Sequence, residues 1–103
     1  MFLVVFRNRE RADIDASGYA VDAERMEWLA AAQPGYVSFK SYVSDGGEVI
    51  ALSEWDSEAA ARGWAEYGDH LAVQCKGQAE SYENYAMFAC VDPRIHRFDG
   101  SEA

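Results

Sequence analysis

The first predicted strand constrains the fold more than any other segment, because it is apolar on both of its faces. Strand alternation along residues 2–9, FLVVFRNR, places two rows of side chains on opposite sides. One row is Phe2, Val4, Phe6 and Asn8, and the other is Leu3, Val5, Arg7 and Arg9. Such a strand must be covered on both faces, and one layer of helices covers only one of them. Because 103 residues make a single domain with a modest core, we expect a second subunit to cover the other face.

The clearest helix is predicted over residues 19–33, and it supplies the layer for one face of the sheet. Its apolar positions recur at helical spacing and are Tyr19, Ala23, Met26 and Ala30. Ser17 is the predicted N-cap, and Pro34-Gly35 ends the helix. Trp28 falls on the opposite side, where it is either a surface residue or a contact to a partner.

The remaining elements complete a regular order. A strand over residues 36–43 places Val37, Phe39 and Val43 on one face and Tyr36, Ser38, Lys40 and Tyr42 on the other. Asp45-Gly46-Gly47 is a hairpin turn that leads into a returning strand at residues 48–55. A helix at residues 58–66, a break at Gly68, a short helix to about residue 76 and a strand at residues 80–91 follow. The order β-α-β-β-α-β predicts an α+β, ferredoxin-like fold, with a four-stranded antiparallel sheet and helices on one face. This domain covers residues 1–92 and is followed by a tail at 93–103.

Charge and cysteine usage narrow the classes of partner and the compartment. Eighteen acidic and nine basic residues give a net charge of −9, which disfavours binding to nucleic acid or to an anionic membrane surface. The apolar start of the chain is too short for a secretory signal, and no apolar run is long enough to span a bilayer. Cys75 and Cys90 form no metal-binding spacing, so we expect free, mostly buried thiols in a reducing cytoplasm.

Residues 52–74 contain the strongest candidates for a ligand site. Trp64 shares a helix face with Ala60 and Tyr67, so it is either core or an aromatic plate for a flat substrate ring. His70 follows the break at Gly68 and lies in the first turn of a helix, where the helix dipole disfavours the imidazolium. A neutral imidazole at this position is either a general base or a surface residue at a helix junction.

Asn8 and several tyrosines are candidates on the sheet. Asn8 ends an apolar row, where a buried amide must find a partner. It either binds a backbone group or donates to a developing oxyanion on a ligand. Tyr36, Tyr42 and Tyr82 offer an aromatic lining or a phenol donor, or they serve only in packing.

The sequence contains no metal triad, phosphate-binding glycine loop, GxSxG motif or dinucleotide fingerprint. We therefore expect neither a metal nor a cofactor. This expectation is compatible with oxidation that needs no cofactor and equally with a protein that is not an enzyme.

A series of short motifs, taken in order, resembles the antibiotic biosynthesis monooxygenase domain family. The motifs are FxVxFRxR at residues 2–9, QPGY at 33–36, Ser53-Glu54-Trp55, Glu58-Ala59, Trp64, His70-Leu71 with Gln74 and Gly77, and Tyr82, Tyr85 and Cys90 in the closing strand. The resemblance covers about residues 2–92. It implies a dimeric α+β barrel of two ferredoxin-like sheets, with a pocket between the sheet and the helices of each subunit.

The resemblance also implies a function. Some relatives oxidise aromatic polyketides with molecular oxygen and without metal or flavin. Our hypothesis is therefore a cofactor-independent monooxygenase for a small aromatic substrate, with His70 or Tyr67 as the base and Asn8 on the oxyanion. Residues that bind the substrate are then Trp64, Tyr36, Tyr82 and Gln74. The alternative is a dimeric small-molecule-binding or accessory protein that uses the same pocket without catalysis.

A third and less favoured hypothesis is haem binding or degradation. Haem-degrading relatives resemble this chain in Asn8 and Trp64. Their iron-ligating histidine, however, falls ten residues after that tryptophan, and here the position is Gln74. An amide is a poor axial ligand for haem iron.

Overall fold

The computed structural model describes residues 1–102. Its strands are β1 (Phe2–Glu10), β2 (Tyr36–Val43), β3 (Val49–Trp55) and β4 (Tyr82–Val91), and its helices are α1 (Ala16–Ala31), α2 (Glu58–Ala65) and α3 (Gly68–Lys76). A π-helical turn, Gly77–Ser81, connects α3 to β4, and a 3₁₀ turn, Gly100–Glu102, lies in the tail. The predicted tail at 93–103 includes Ala103, which lies outside the described residues. Within residues 1–102, no helix is both long enough and apolar enough to cross a membrane.

The sheet confirms the predicted ferredoxin-like fold. Its four strands are antiparallel in the order β2-β3-β1-β4, so the first strand lies in the interior of the sheet. All three helices pack on the face that carries Phe2, Val4, Phe6 and Asn8. The second half of the predicted β-α-β-β-α-β order contains two short helices, α2 and α3, because the chain turns at Tyr67 and Gly68.

The hydrophobic core is concentrated at the end of the sheet where β1 begins. It consists of Phe2, Ala30, Trp55 and Ala61, and Trp55 is only 1% exposed. Tyr36 and Trp64 pack against this cluster, with ring centroids 5.8 Å and 6.5 Å from that of Trp55. The other half of the space between sheet and helices is not filled by core side chains.

A β-bulge in β2 corrects the predicted faces of that strand. Tyr36 pairs with Trp55 and Ser38 pairs with the adjacent Glu54, so Val37 is an additional residue in the ladder. An additional residue reverses the alternation that precedes it. Tyr36 therefore lies on the helix-covered face with Phe39, and the prediction that placed it with Tyr42 is wrong.

Two further local predictions are wrong for simple reasons. α1 begins at Ala16 because Asp15, and not Ser17, caps it by accepting a hydrogen bond from the Gly18 amide at 3.2 Å.

Cys75 and Cys90 are free, as predicted, but both are exposed. Cys90 pairs with Leu3 on the sheet face opposite α1, α2 and α3, and it is left exposed there.

The sheet face opposite α1, α2 and α3 is apolar. It contains Leu3, Val5, Ile50, Leu52, Tyr42 and Phe88, of which the last two are exposed. The Arg7 guanidinium lies 5.6 Å from the centroid of the Phe88 ring and covers part of this surface.

Gly35 joins α1 to β2 and tolerates no side chain, which provides a test of the fold. Its φ is +83°, and an added Cβ would lie 2.5 Å from the Cβ of Ala60. We expect Gly35→Ala to lower the free energy of unfolding by about 2–3 kcal/mol, through backbone strain and overpacking. Urea denaturation measures this change.

Gly63 in α2 is the matched control, because nothing lies within 4 Å of an added Cβ there. Gly63→Ala should raise stability by about 0.5–1 kcal/mol, since alanine is the better helix former. Equal effects of the two substitutions would contradict the close contact between Gly35 and α2.

Candidate active site

A cavity of about 570 Å³ lies between the sheet and helices α1 and α3. It occupies the part of the interlayer space that the core leaves open. Six of the seven predicted site residues line it, and they are Asn8, Tyr36, Trp64, His70, Gln74 and Tyr82. The volume is in the range of small-molecule sites, and the lining is mostly apolar with a few polar groups.

Trp64 and His70 form the wall of the cavity at the junction of α2 and α3. Their rings are parallel to within 14°, with centroids 4.4 Å apart. The His70 Nδ1 lies 3.0 Å from the backbone carbonyl oxygen of Trp64. A carbonyl oxygen only accepts, so Nδ1 carries the proton, and in the neutral ring Nε2 retains its lone pair.

The environment of His70 favours the neutral imidazole. Burial lowers the pKa of His70, and the hydrogen bond to the Trp64 backbone opposes this effect only in part. A ring that is neutral at pH 7 and has a free Nε2 can accept a proton from a ligand.

Tyr67 does not line the cavity. Its ring stacks on Trp64, with centroids 5.7 Å apart and planes 23° from parallel. Of the two residues predicted as a base, only His70 is therefore brought to the cavity.

Asn8 lies on the sheet side of the cavity. Its side chain is 3% exposed, and Oδ1 is buried without a hydrogen-bond partner among residues 1–102. An unpaired buried polar atom is uncommon and requires an explanation. The amide can accept from a ligand hydroxyl through Oδ1 or donate to a ligand oxygen through Nδ2.

A cluster of phenols lies next to Asn8. The hydroxyl oxygens of Tyr19 and Tyr82 are 3.0 Å apart, and Tyr85 accepts a hydrogen bond from Gln78 at 2.6 Å. Phe6 packs edge-on against Tyr82 and Tyr85, with centroid distances of 5.4 Å and 5.2 Å. Burial raises the pKa of both Tyr19 and Tyr82, the latter strongly.

Tyr19 is the polar residue that sequence reasoning missed. Helical spacing places it correctly on the buried face of α1, but spacing says nothing about a partner for its hydroxyl. A tyrosine within an otherwise aliphatic helix stripe was the available signal, because a buried phenol nearly always needs a hydrogen bond.

No metal site is apparent in the part of the chain that the structure describes, since no three His, Cys, Asp or Glu side chains there converge suitably. The polar groups at the cavity are instead an imidazole, amides, phenols and a few side chains at its edge.

Fold and cavity together define a ferredoxin-like α+β domain that can hold a small ligand between its sheet and its helices. The chain belongs to the antibiotic biosynthesis monooxygenase family, whose sequence profile matches residues 1–76. It is also similar to the uncharacterized protein YqjZ of Bacillus subtilis, with 41% identity over 71 residues. That segment is 69% of this chain and 62% of YqjZ, so the chain spans less than two thirds of this relative.

Solved structures of low sequence identity share the fold. Rv0793 from Mycobacterium tuberculosis gives a TM-score of 0.78 at 20% identity, covering 93% of this chain and 98% of that one. SnoaB, a cofactor-independent oxygenase from Streptomyces nogalater, gives a TM-score of 0.74 at 14% identity, covering 91% and 94%. The match to the family profile confirms the membership predicted from the sequence motifs.

Proposed function

We propose that this protein is a cofactor-independent monooxygenase that oxidises a small, flat aromatic such as a phenol, anthrone or quinol with molecular oxygen. One observation carries the proposal: an apolar cavity has an imidazole with a free Nε2 on the helix side and, on the sheet side, the buried amide of Asn8, whose Oδ1 has no partner among residues 1–102. Family membership and the structural likeness to an oxygenase of this kind support it.

The first step is the removal of a proton from the substrate by His70. The Nε2 lone pair accepts a carbon-bound or phenolic proton, and the charge spreads over the aromatic system onto an oxygen. In an anthrone this oxygen lies across the ring from the deprotonated carbon. A base and an oxyanion donor therefore belong on opposite sides of the ligand, which is how His70 and Asn8 are arranged across the two layers.

Oxidation then proceeds without a further reagent. The carbanion gives one electron to dioxygen, and the resulting radical and superoxide combine to form a C–O bond. Loss of the second proton from that carbon breaks the O–O bond. The CH₂ group becomes a carbonyl, one oxygen atom enters the product and the other leaves as water.

The aromatic walls orient the substrate and keep the carbanion dry. We assign Trp64 and Tyr36 to the aromatic walls that contact the substrate, and Gln74 and Tyr82 to polar contacts at its edge. Exclusion of water matters because a delocalised carbanion in contact with water is simply reprotonated. Tyr67, stacked behind Trp64, supports the indole and is the weaker choice of base.

We further propose that the protein is a cytoplasmic homodimer. The two free thiols are suited to a reducing compartment. The apolar sheet face opposite the helices is suited to burial against the same face of a second copy. Sedimentation at micromolar concentration tests the dimer, and a stable monomer would contradict it.

Oxygen uptake with anthrone- or quinol-type compounds tests the activity directly. Enzyme-dependent uptake in air, with quinone product absent under nitrogen, would support the monooxygenase. Ligand binding without oxygen-dependent product from any such compound would instead favour the alternative of a binding or accessory protein.

The pH dependence of stability tests the state of His70. The unfolded chain binds a proton on this residue near pH 6.5, whereas burial lowers the pKa in the folded protein. The unfolded state therefore binds more protons between the two pKa values, and the free energy of unfolding falls as pH decreases from about 6.5 through the folded pKa.

Urea denaturation between pH 7.5 and 5.5 measures this loss, and His70→Gln should lack the component. An unchanged slope in His70→Gln would show that His70 is not held neutral in the folded state. In the wild type, kcat/KM should decline over the same pH range as the base becomes protonated.

Titration with haem tests whether the cavity excludes haem as a ligand. Gln74 lines the cavity at the position where the resemblance places an iron-ligating histidine, and its amide is a poor match for haem iron. We expect no Soret shift when the wild-type protein is titrated with haem, and a shift in Gln74→His. A Soret shift in the wild type would contradict this expectation and support the haem hypothesis.

A further inference from the structure

We propose that the hydroxyl pair of Tyr19 and Tyr82 is a second anchor for the ligand, which holds an oxygen substituent at the end of the cavity remote from His70. The inference rests on the proposed function, because it assumes a flat aromatic ligand in the same cavity. It adds a requirement on that ligand: a carbonyl or hydroxyl oxygen at the edge away from the reacting carbon.

The Tyr19–Tyr82 pair has one hydrogen-bond donor that no group among residues 1–102 accepts. Its two phenols bring two O–H groups, and the hydrogen bond between them, 3.0 Å long, engages one. Among residues 1–102 neither hydroxyl has another partner. One O–H is therefore available to an acceptor in the cavity, which both side chains line.

The ring of Tyr82 is held rigidly in place. An added Cβ on Gly77 would lie 2.7 Å from its Cε2, so the backbone of the π-helical turn is in close contact with the ring. Phe6 and Tyr19 pack edge-on against it, with centroids at 5.4 Å and 6.0 Å. A donor fixed in this way binds an acceptor with little loss of conformational entropy.

Both phenols remain protonated at neutral pH. Burial raises the pKa of Tyr82, and its hydrogen bond with Tyr19 raises it further. Burial also raises the pKa of Tyr19. The pair therefore acts as a hydrogen-bond donor and cannot serve as the base.

The pair and His70 lie toward opposite ends of the cavity. Tyr82 is opposite Glu10 at the end of β1, whereas Trp64, on which His70 stacks, packs on Trp55 opposite the start of β1. The rise along α3 from residue 70 to residue 77, which contacts Tyr82, is about 10 Å. A fused-ring aromatic bridges this length, whereas a single ring does not.

Binding of two quinones under nitrogen tests the anchor independently of turnover. The probes are 2-hydroxyanthraquinone, which has an oxygen at the end of its long axis, and anthraquinone, which lacks it. Quenching of tryptophan fluorescence reports binding, because Trp55 and Trp64 lie at the cavity. We expect the hydroxylated probe to bind the wild type about 10-fold more tightly, the value of one hydrogen bond to a fixed donor.

The double variant Tyr19→Phe/Tyr82→Phe should reduce this ratio toward one, because a single variant still leaves one hydroxyl free to donate. Tyr42→Phe, on the sheet face away from the cavity, should keep the ratio. A purely structural role of the pair would change both affinities together and leave the ratio intact. Thermal unfolding shows whether the double variant is folded, and the two single variants, in which one hydroxyl remains, should each keep part of the ratio.

Equal binding of the two probes to the wild type, or a ratio that survives in the double variant, would overturn the anchor. Oxygen uptake with anthrone distinguishes failure of the anchor alone from failure of the proposed function. If uptake persists without discrimination between the quinones, the anchor alone fails; if uptake is also absent, the proposed function fails with it.

Discussion

Replacing Asn8 by leucine should lower kcat about 100-fold and leave the protein at least as stable as the wild type. Removal of one donor to a developing oxyanion typically costs 10²–10³ in rate, which is about 2.7–4 kcal/mol of transition-state stabilisation. The effect on stability has the opposite sign. The buried Oδ1 has no partner among the described residues, and an apolar side chain of similar shape relieves that cost of about 1–3 kcal/mol.

Steady-state oxygen uptake and urea denaturation of the same preparation measure the two effects. Asn84→Leu is the matched control, because Asn84 is exposed on the face of β4 away from the cavity. It should change neither quantity by much. A loss of 2 kcal/mol or more in Asn8→Leu would show that Asn8 holds the fold together and would weaken its assignment to the oxyanion.

Trp55→Ala should lower the free energy of unfolding by about 3–5 kcal/mol, the usual cost of truncating a fully buried large aromatic. Trp55 is 1% exposed and contacts Tyr36 and Trp64, so its removal leaves a void at the centre of the small core. Domains are typically stable by only 5–15 kcal/mol, so the variant should be close to unfolding. Binding at the cavity should weaken as well, because Trp64 loses its support.

Trp28→Ala is the matched control, since this indole on α1 is 77% exposed. Its effect on stability should stay within about 0.5 kcal/mol. Chemical denaturation of both variants gives the comparison. A similar cost at both positions would mean that Trp28 is buried in an assembly, which sedimentation would then reveal.

The periodic features of the chain were predictable because they depend on neighbours in sequence. The order of strands and helices, the turn at residues 45–47 and the buried stripe of α1 follow from alternation, helical spacing and glycine chemistry. The alternation at residues 2–9 correctly indicated a strand with apolar residues on both of its faces. Family membership was predictable for the same reason, since the motifs are short and local.

Errors and omissions arose where a contact between distant residues decides the outcome. The additional residue Val37 places Tyr36 on the cavity side of the sheet, and the alternation of apolar and polar residues in that strand does not predict a bulge. The two thiols were expected to be buried because cysteine usually is, yet their positions are exposed.

The sequence by itself thus determined the fold, the family and which residue types were available for a site. Only the tertiary structure decided how they combine: His70 stacked on Trp64 with Nδ1 tied to a backbone carbonyl, Tyr67 kept out of the cavity, and Tyr19 joined to Tyr82 across 63 positions. The physical reason is that secondary structure follows from interactions a few residues apart. A cavity is instead the space that packed layers leave unfilled, and its shape depends on all of them together.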